Sequence, residues 1–154
     1  MCLVTNTPIP IILEKDLVVY KVLWKLGNRI YSIYQDHRYD IGKIYYEEEI
    51  GIEPNNIIGQ EMPDGYCVYE AYHACTTLDR ANYHIGEMRK CRLVISKGFK
   101  VFFDRGCDDI GEIRKYRIYK CVIPKGSKVF FDRGCDEIAS DTIIIKRRLL
   151  FNRF

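Results

Sequence analysis

The residues whose types and spacing point most directly to chemistry are His73, Thr76, Thr77 and Arg80. His73 closes an aromatic and aliphatic run, and two threonines follow it immediately ahead of a helical pattern. Backbone N–H groups at a helix start lack partners and carry partial positive charge, so such a place accepts a phosphate or carboxylate, with Arg80 one turn on as a counter-charge. Tyr20 and Lys21 join this set if their strand lies alongside. Tyr83 on the polar side of the helix and Lys125 in a Pro-Lys-Gly turn are the remaining candidate ligand-binding residues. A structural use competes with this one, because threonines cap helices and a single histidine commonly satisfies a buried hydrogen bond.

Other reactive groups carry less. The seven cysteines are odd in number and include no Cys-x-x-Cys pair, so they read as reduced thiols rather than a disulfide framework or zinc site. Removal of Met1 would leave Cys2 as an N-terminal thiol, a group some amidotransferases use as nucleophile, although a plain core or surface cysteine is the simpler reading. Asp104, Asp108, Asp132 and Asp136 flank glycines but do not follow the calcium-loop spacing, and Asp and Gly serve turns for backbone reasons alone. Neither a metal nor a cofactor is expected.

The elements that must position these residues are mostly strands. DLVVYKVLW (16–24) and RIYSIY (29–34) are rich in β-branched and aromatic residues, and Gly27-Asn28 between them marks a hairpin. A polar loop over 36–40 leads to KIYY (43–46). Residues 47–65, acidic and carrying two prolines, read as a long connection. CVYEAYHA (67–74) reads as one strand running into the helix, about residues 77–89, where Leu78, Ala81, Ile85 and Met88 share a face and Thr76 stands three residues before Asp79 as in a capping box. TIIIKRR (142–148) reads as the last strand.

KGFKVFFDRGCDDI (97–110) returns as KGSKVFFDRGCDEI (125–138) with two of fourteen positions changed. Each copy reads as an apolar strand (CRLVI or KCVI), a Lys-Gly turn, the strand KVFF and a DRGCD turn. Catalytic residues have separate jobs in one cleft and are rarely copied side by side, so the duplication is expected to be architectural. Residues 90–117 then duplicate 118–145. Val129 and Phe131 should face one way and Phe130 the other, covered on both sides or lining a groove.

A chain of 154 residues with 47% hydrophobic content suits a single domain, 1–154, with one core. The apolar runs are too short to span a bilayer and the opening residues do not resemble a secretory signal, so a cytoplasmic location is expected. Net charge is +3, divided as −5 over residues 1–77 (6 basic, 11 acidic) and +8 over 78–154 (18 basic, 10 acidic). That split serves either internal attraction or a positive face toward an anionic partner. Nucleic acid ranks low as a partner, because the excess is modest and no recognition motif is present.

The segments MCLVTN, DLVVYKVL, YQDHRYDIGK, VYEAYHACTTLDRA and KCVIPKGSKVFFDRGCDEIASDTIII together resemble a family of short proteins of tailed bacteriophages and prophages, many from gut bacteria. The family pattern runs from Met-Cys through a Tyr-Lys strand and a Phe-His strand before a helix, then to Ile-Pro-Lys-Gly and a closing Ile-Ala-Ser-Asp strand. Here Tyr72 stands in place of the Phe before His73, and residues 90–117 look like an extra copy ahead of the standard segment. The resemblance implies the cytoplasm of a bacterial host and a function that maps outside 90–117. A looser similarity links the His-strand-plus-helix unit to domains of giant-virus proteins with pentapeptide repeats. The order of strands also echoes ADP-ribosyltransferases, with Tyr20-Lys21 on a first strand, Ala74-Cys75-Thr76-Thr77 at a strand end and Glu137 as a late acid, each match imperfect.

The expected protein is therefore α+β, mainly antiparallel sheet with one substantial helix and a duplicated β-ribbon. A phage-encoded, non-catalytic binding protein acting against host functions is favoured, its ligand a nucleotide-like anionic signal of antiviral defence. A module that binds a host protein, a virion accessory and an ADP-ribosyltransferase-like enzyme are the alternatives. No membrane partner is expected, and oligomerisation is left open.

Overall fold

A computed structural model of the chain describes residues 3–33, 37–56, 58–62, 64–96 and 115–150, with residues 89–96 described by backbone alone. In chain order the elements begin with β1 (Leu3–Thr5), β2 (Ile11–Ile12), β3 (Leu17–Leu26), β4 (Arg29–Ser32), β5 (Arg38–Tyr39) and β6 (Ile44–Tyr46). There follow β7 (Gly51–Pro54), β8 (Tyr66–Tyr69), β9 (Tyr72–Cys75) and the helix α1 (Leu78–Ser96). The chain then continues through β10 (Lys115–Ile123), β11 (Lys128–Phe131), β12 (Glu137–Ser140) and β13 (Thr142–Arg148). The described residues are thus mostly antiparallel sheet with one helix, an α+β arrangement.

β3 and β10 form the spine, paired over nine residues from Leu17↔Ile123 to Lys25↔Lys115. Around them the larger sheet runs β2-β11-β12-β9-β3-β10-β13-β6, with β4 and β5 attached at one end of β3, and a smaller sheet runs β1-β8-β7. The larger sheet curls strongly. Tyr45 of β6 and Tyr72 of β9 are four strand steps apart, roughly 19 Å on a flat sheet, yet their ring centres lie 6.3 Å from each other. Inside the curl Val19, Leu23, Tyr119, Cys121, Ile143 and Ile145 form the main core.

Two smaller layers cover the outside. α1 lays Ala81 and Ile85, both fully buried, on Val22, Cys75 and Ile118. Leu78, expected on the same face, is exposed, and Met88 is half-buried. The smaller sheet packs Leu3 and Val68 on Phe130 and Ala139. β11 is therefore covered on both faces, Val129 and Phe131 toward the main core and Phe130 toward the smaller sheet, as its alternation requires.

Several boundaries differ from the sequence expectation. The hairpin β3–β4 forms as expected, with Gly27 at φ 57°. The run 67–74 is not one strand. Glu70 takes φ 51°, a left-handed conformation uncommon for any residue but glycine, and there the chain passes from β8 in the small sheet to β9 in the large one. The acidic connection contains β7, paired with β8, where Gly51 lets the Tyr69 ring lie against the backbone and an added Cβ would run into that ring. The polar loop 36–40 contains β5. The helix extends past residue 89 to Ser96, so CRLVI (91–95) is helical whereas its counterpart KCVI lies in β10. The remainder of the first copy, 97–110 with Phe103, lies outside the described residues, as does Cys2.

A candidate anion-binding cleft at the split edge of β3

One edge of β3 is fully occupied by β10, but the other is shared. β4 takes residues 23–26, and β9 touches it at a single pair, Tyr20↔Cys75. Between these two partners Lys21 and Val22 face a gap in the sheet. The gap opens into a cleft lined by Tyr20, Lys21, Tyr39, His73, His84 and Glu137, among others, with about 90 Å³ that the centre of a water molecule can reach. That volume takes one compact chemical group, and the cleft is open to solvent for the rest of a larger molecule.

Lys21 stands at the inner end. Its Nζ donates a hydrogen bond to the carbonyl of His73, in the place where a strand-to-strand bond is missing, and sits 5.8 Å from the centre of the Tyr39 ring. Among the described residues no carboxylate lies within ion-pair distance of it. Part of the side chain meets the cleft while the ammonium itself is enclosed, and this burial lowers its pKa from the ordinary lysine value. His73 is held neutral in the same way, its pKa lowered to about 4 by burial and by the Lys21 charge, and its buried Nδ1 has no hydrogen-bond partner. Burial also raises the Tyr39 phenol, and pushes the Cys75 thiol up to about 12, so Cys75 stays a protonated wall of the cleft.

The rim carries a charge cluster. Glu137 Oε1 accepts from His84 Nε2 at 2.8 Å and from Arg80 at 3.0 Å (Nε) and 2.8 Å (the terminal nitrogen). The His84 bond, then those of Arg80, hold the Glu137 pKa down to about 2 despite its partial burial. All three bonds fall on Oε1.

Compared with protein-family models, curated proteins and solved structures, the chain matches none.

Of the residues singled out from the sequence, Tyr20, Lys21 and His73 meet in the cleft. The others lie elsewhere or are engaged. Thr77, not Thr76, caps the helix, its Oγ1 accepting from the Arg80 N–H at 3.2 Å. Thr76 donates to the Cys135 carbonyl at 2.6 Å and ties the helix start to the β11–β12 turn. Arg80 is bound to Glu137, so it is no free counter-charge for an anion at the helix start. Tyr83 is exposed beside the Arg80 guanidinium, 5.1 Å from its ring centre. Lys125 lies in the turn after β10, six residues beyond the partner of Lys21, roughly 20 Å along the strand. Sequence reasoning passed over Tyr39 and gave His84 no role. One signal for the inner site was present, since Lys21 is the one charged residue within the apolar run LVVYKVLW.

Proposed function

We propose that this chain is a non-catalytic binding protein that holds a small anionic molecule in the cleft, the ligand's negative group supplying the counter-charge that Lys21 lacks. The carrying observation is the enclosed ammonium, which among the described residues meets the His73 carbonyl and the Tyr39 ring but no carboxylate. Buried charges are ordinarily paired, and an unpaired one is costly unless something else compensates it. Tyr20 and Tyr39 offer aromatic walls to an attached ring, neutral His73 offers a hydrogen-bonding edge, and Arg80 offsets the rim charge of Glu137 that would otherwise repel an anion. A nucleotide-type signal of antiviral defence fits this description with one end inserted. The phage setting and the action against host functions rest on the sequence resemblance. A concave site beside His73 favours a small ligand over a flat protein-binding face.

A thermal-shift screen of mono-, di- and cyclic nucleotides, sugar phosphates and dicarboxylates tests this reading. A ligand at about a hundred times its dissociation constant stabilises the fold by about 2.7 kcal/mol, a rise of roughly 5–10 °C for a chain of this size. At least one compound should give that rise with the parent, none with Lys21→Met, and Lys21→Arg should retain part of it. A screen without a hit, or an equal response from Lys21→Met, contradicts the proposal.

One observation favours a second reading. The segments that echo ADP-ribosyltransferases converge here, since Tyr20, Lys21, Ala74, Cys75 and Glu137 all line the cleft. Release of nicotinamide from NAD by the parent and not by Glu137→Gln would replace binding with turnover.

A further inference from the structure

The geometry points to Lys21 as a carbonyl-reactive amine, one that condenses with a small aldehyde or ketone entering the cleft to form an imine. This rests on the proposed reading of the cleft as open to small molecules, but asks for a different chemistry. An amine attacks carbonyl carbon only when unprotonated, and enzymes that use lysine this way place it in a desolvated pocket without a carboxylate to hold its proton. Lys21 meets both conditions. The titratable or polar groups around it are Tyr39 from β5, His37 ahead of it, the carbonyl and ring of His73 and the Cys75 thiol from β9, and Cys121 from β10, while the ionised Glu137 of the same cleft is held by Arg80 and His84 and makes no ion pair with Lys21. Its lowered pKa supports the assignment.

The step balances without a further reagent. The Nζ lone pair adds to the carbonyl carbon, and the amine gives up two protons in all. The carbonyl oxygen leaves as water, and the C=N bond replaces the C=O bond. Loss of water needs a proton at the departing oxygen, which water in the open cleft supplies, while the Tyr39 phenol, kept neutral by burial, lines the same cleft as a hydrogen-bond donor. The two proposals also interact. An anion bound beside Nζ favours the ammonium and so blocks imine formation, which makes an anionic ligand a competitor of the aldehyde.

The test treats the full chain at neutral pH with a small neutral aldehyde, propionaldehyde, and cyanoborohydride, then measures alkylation at each lysine by peptide mass spectrometry. Lys21 should be alkylated several times faster than exposed Lys15, Lys43 and Lys128, and that preference should vanish in denaturant. Lys21 modified no faster than those three, or not at all, overturns the inference. No variant needs to fold for this readout. Failure here with a positive anion screen leaves the binding reading standing. Selective alkylation with an empty screen would retain the reactive amine and remove the anion-binding function.

Discussion

Glu137 shows how much a single side chain can hold together. Its Oε1 receives Arg80 and His84 from the helix while its own strand pairs with β9, so one carboxylate pins α1 to the sheet beside the cleft. A carboxyl held down near 2 against an ordinary 4.5 binds fewer protons folded than unfolded between those values. Its stabilisation is present above the ordinary carboxyl range and is lost as the pH falls through about 2. Glu137→Gln should cost about 2–3 kcal/mol at neutral pH, and denaturant titrations should find the gap to the parent closing as the solution is acidified below about pH 4.5. Arg80→Ala should cost about 1–2 kcal/mol through the lost charged hydrogen bonds, whereas a free surface arginine would melt close to the parent. Lys21 gives the same direction of pH dependence in an alkaline window, because burial penalises its charged form. A lysine with a lowered pKa binds fewer protons folded than unfolded as pH rises toward 10.5, so the unliganded parent should gain stability relative to Lys21→Met through that alkaline window. A constant difference between the two proteins across alkaline pH would show that Lys21 is not desolvated.

At the scale of elements, the helix start and the β11–β12 ribbon make separable demands. Thr77→Ala should lower stability by about 1 kcal/mol as a lost cap, while Thr76→Ala removes the tie to Cys135 and leaves the cap intact; thermal melts of the two variants, compared by helical signal, distinguish them. Phe130 is almost fully buried between the two sheets and Phe131 is partly open. Phe130→Ala should therefore cost about 3–5 kcal/mol and Phe131→Ala clearly less, as read from denaturant midpoints. The alternation of KVFF made these faces legible in the sequence, just as Gly27 made the first hairpin legible and TIIIKRR gave the last strand at its observed bounds. β7 escaped because its Glu53 and Pro54 sit on an exposed edge, where acidic residues and proline are tolerated in a strand. The break between β8 and β9 escaped because Glu70, not a glycine, takes the left-handed turn. Thr76 and Thr77 are interchangeable as caps in sequence, and only the Cys135 carbonyl decides between them.

For the whole molecule, the cleft exists because two strands compete for one edge of β3, a consequence of long-range pairing that no local pattern reports. The sequence placed Tyr20, Lys21 and His73 in one candidate set, but put the anion at the helix start, where the described side chains already satisfy one another. His84 and Glu137 are separated by 53 residues and meet through the approach of α1 to β12. Among the described residues no helix is long and apolar enough to cross a membrane. The fold encloses a lysine that meets no carboxylate among the described residues, and on the proposed reading a ligand takes that role. A pH titration of lysine 13Cε resonances by NMR, with Lys21→Arg for assignment, addresses this central claim directly. Lys21 should titrate below the ordinary 10.5 in the free protein and move upward when an anion from the screen is added. A Lys21 midpoint at or above 10.5 in the free protein would contradict the account.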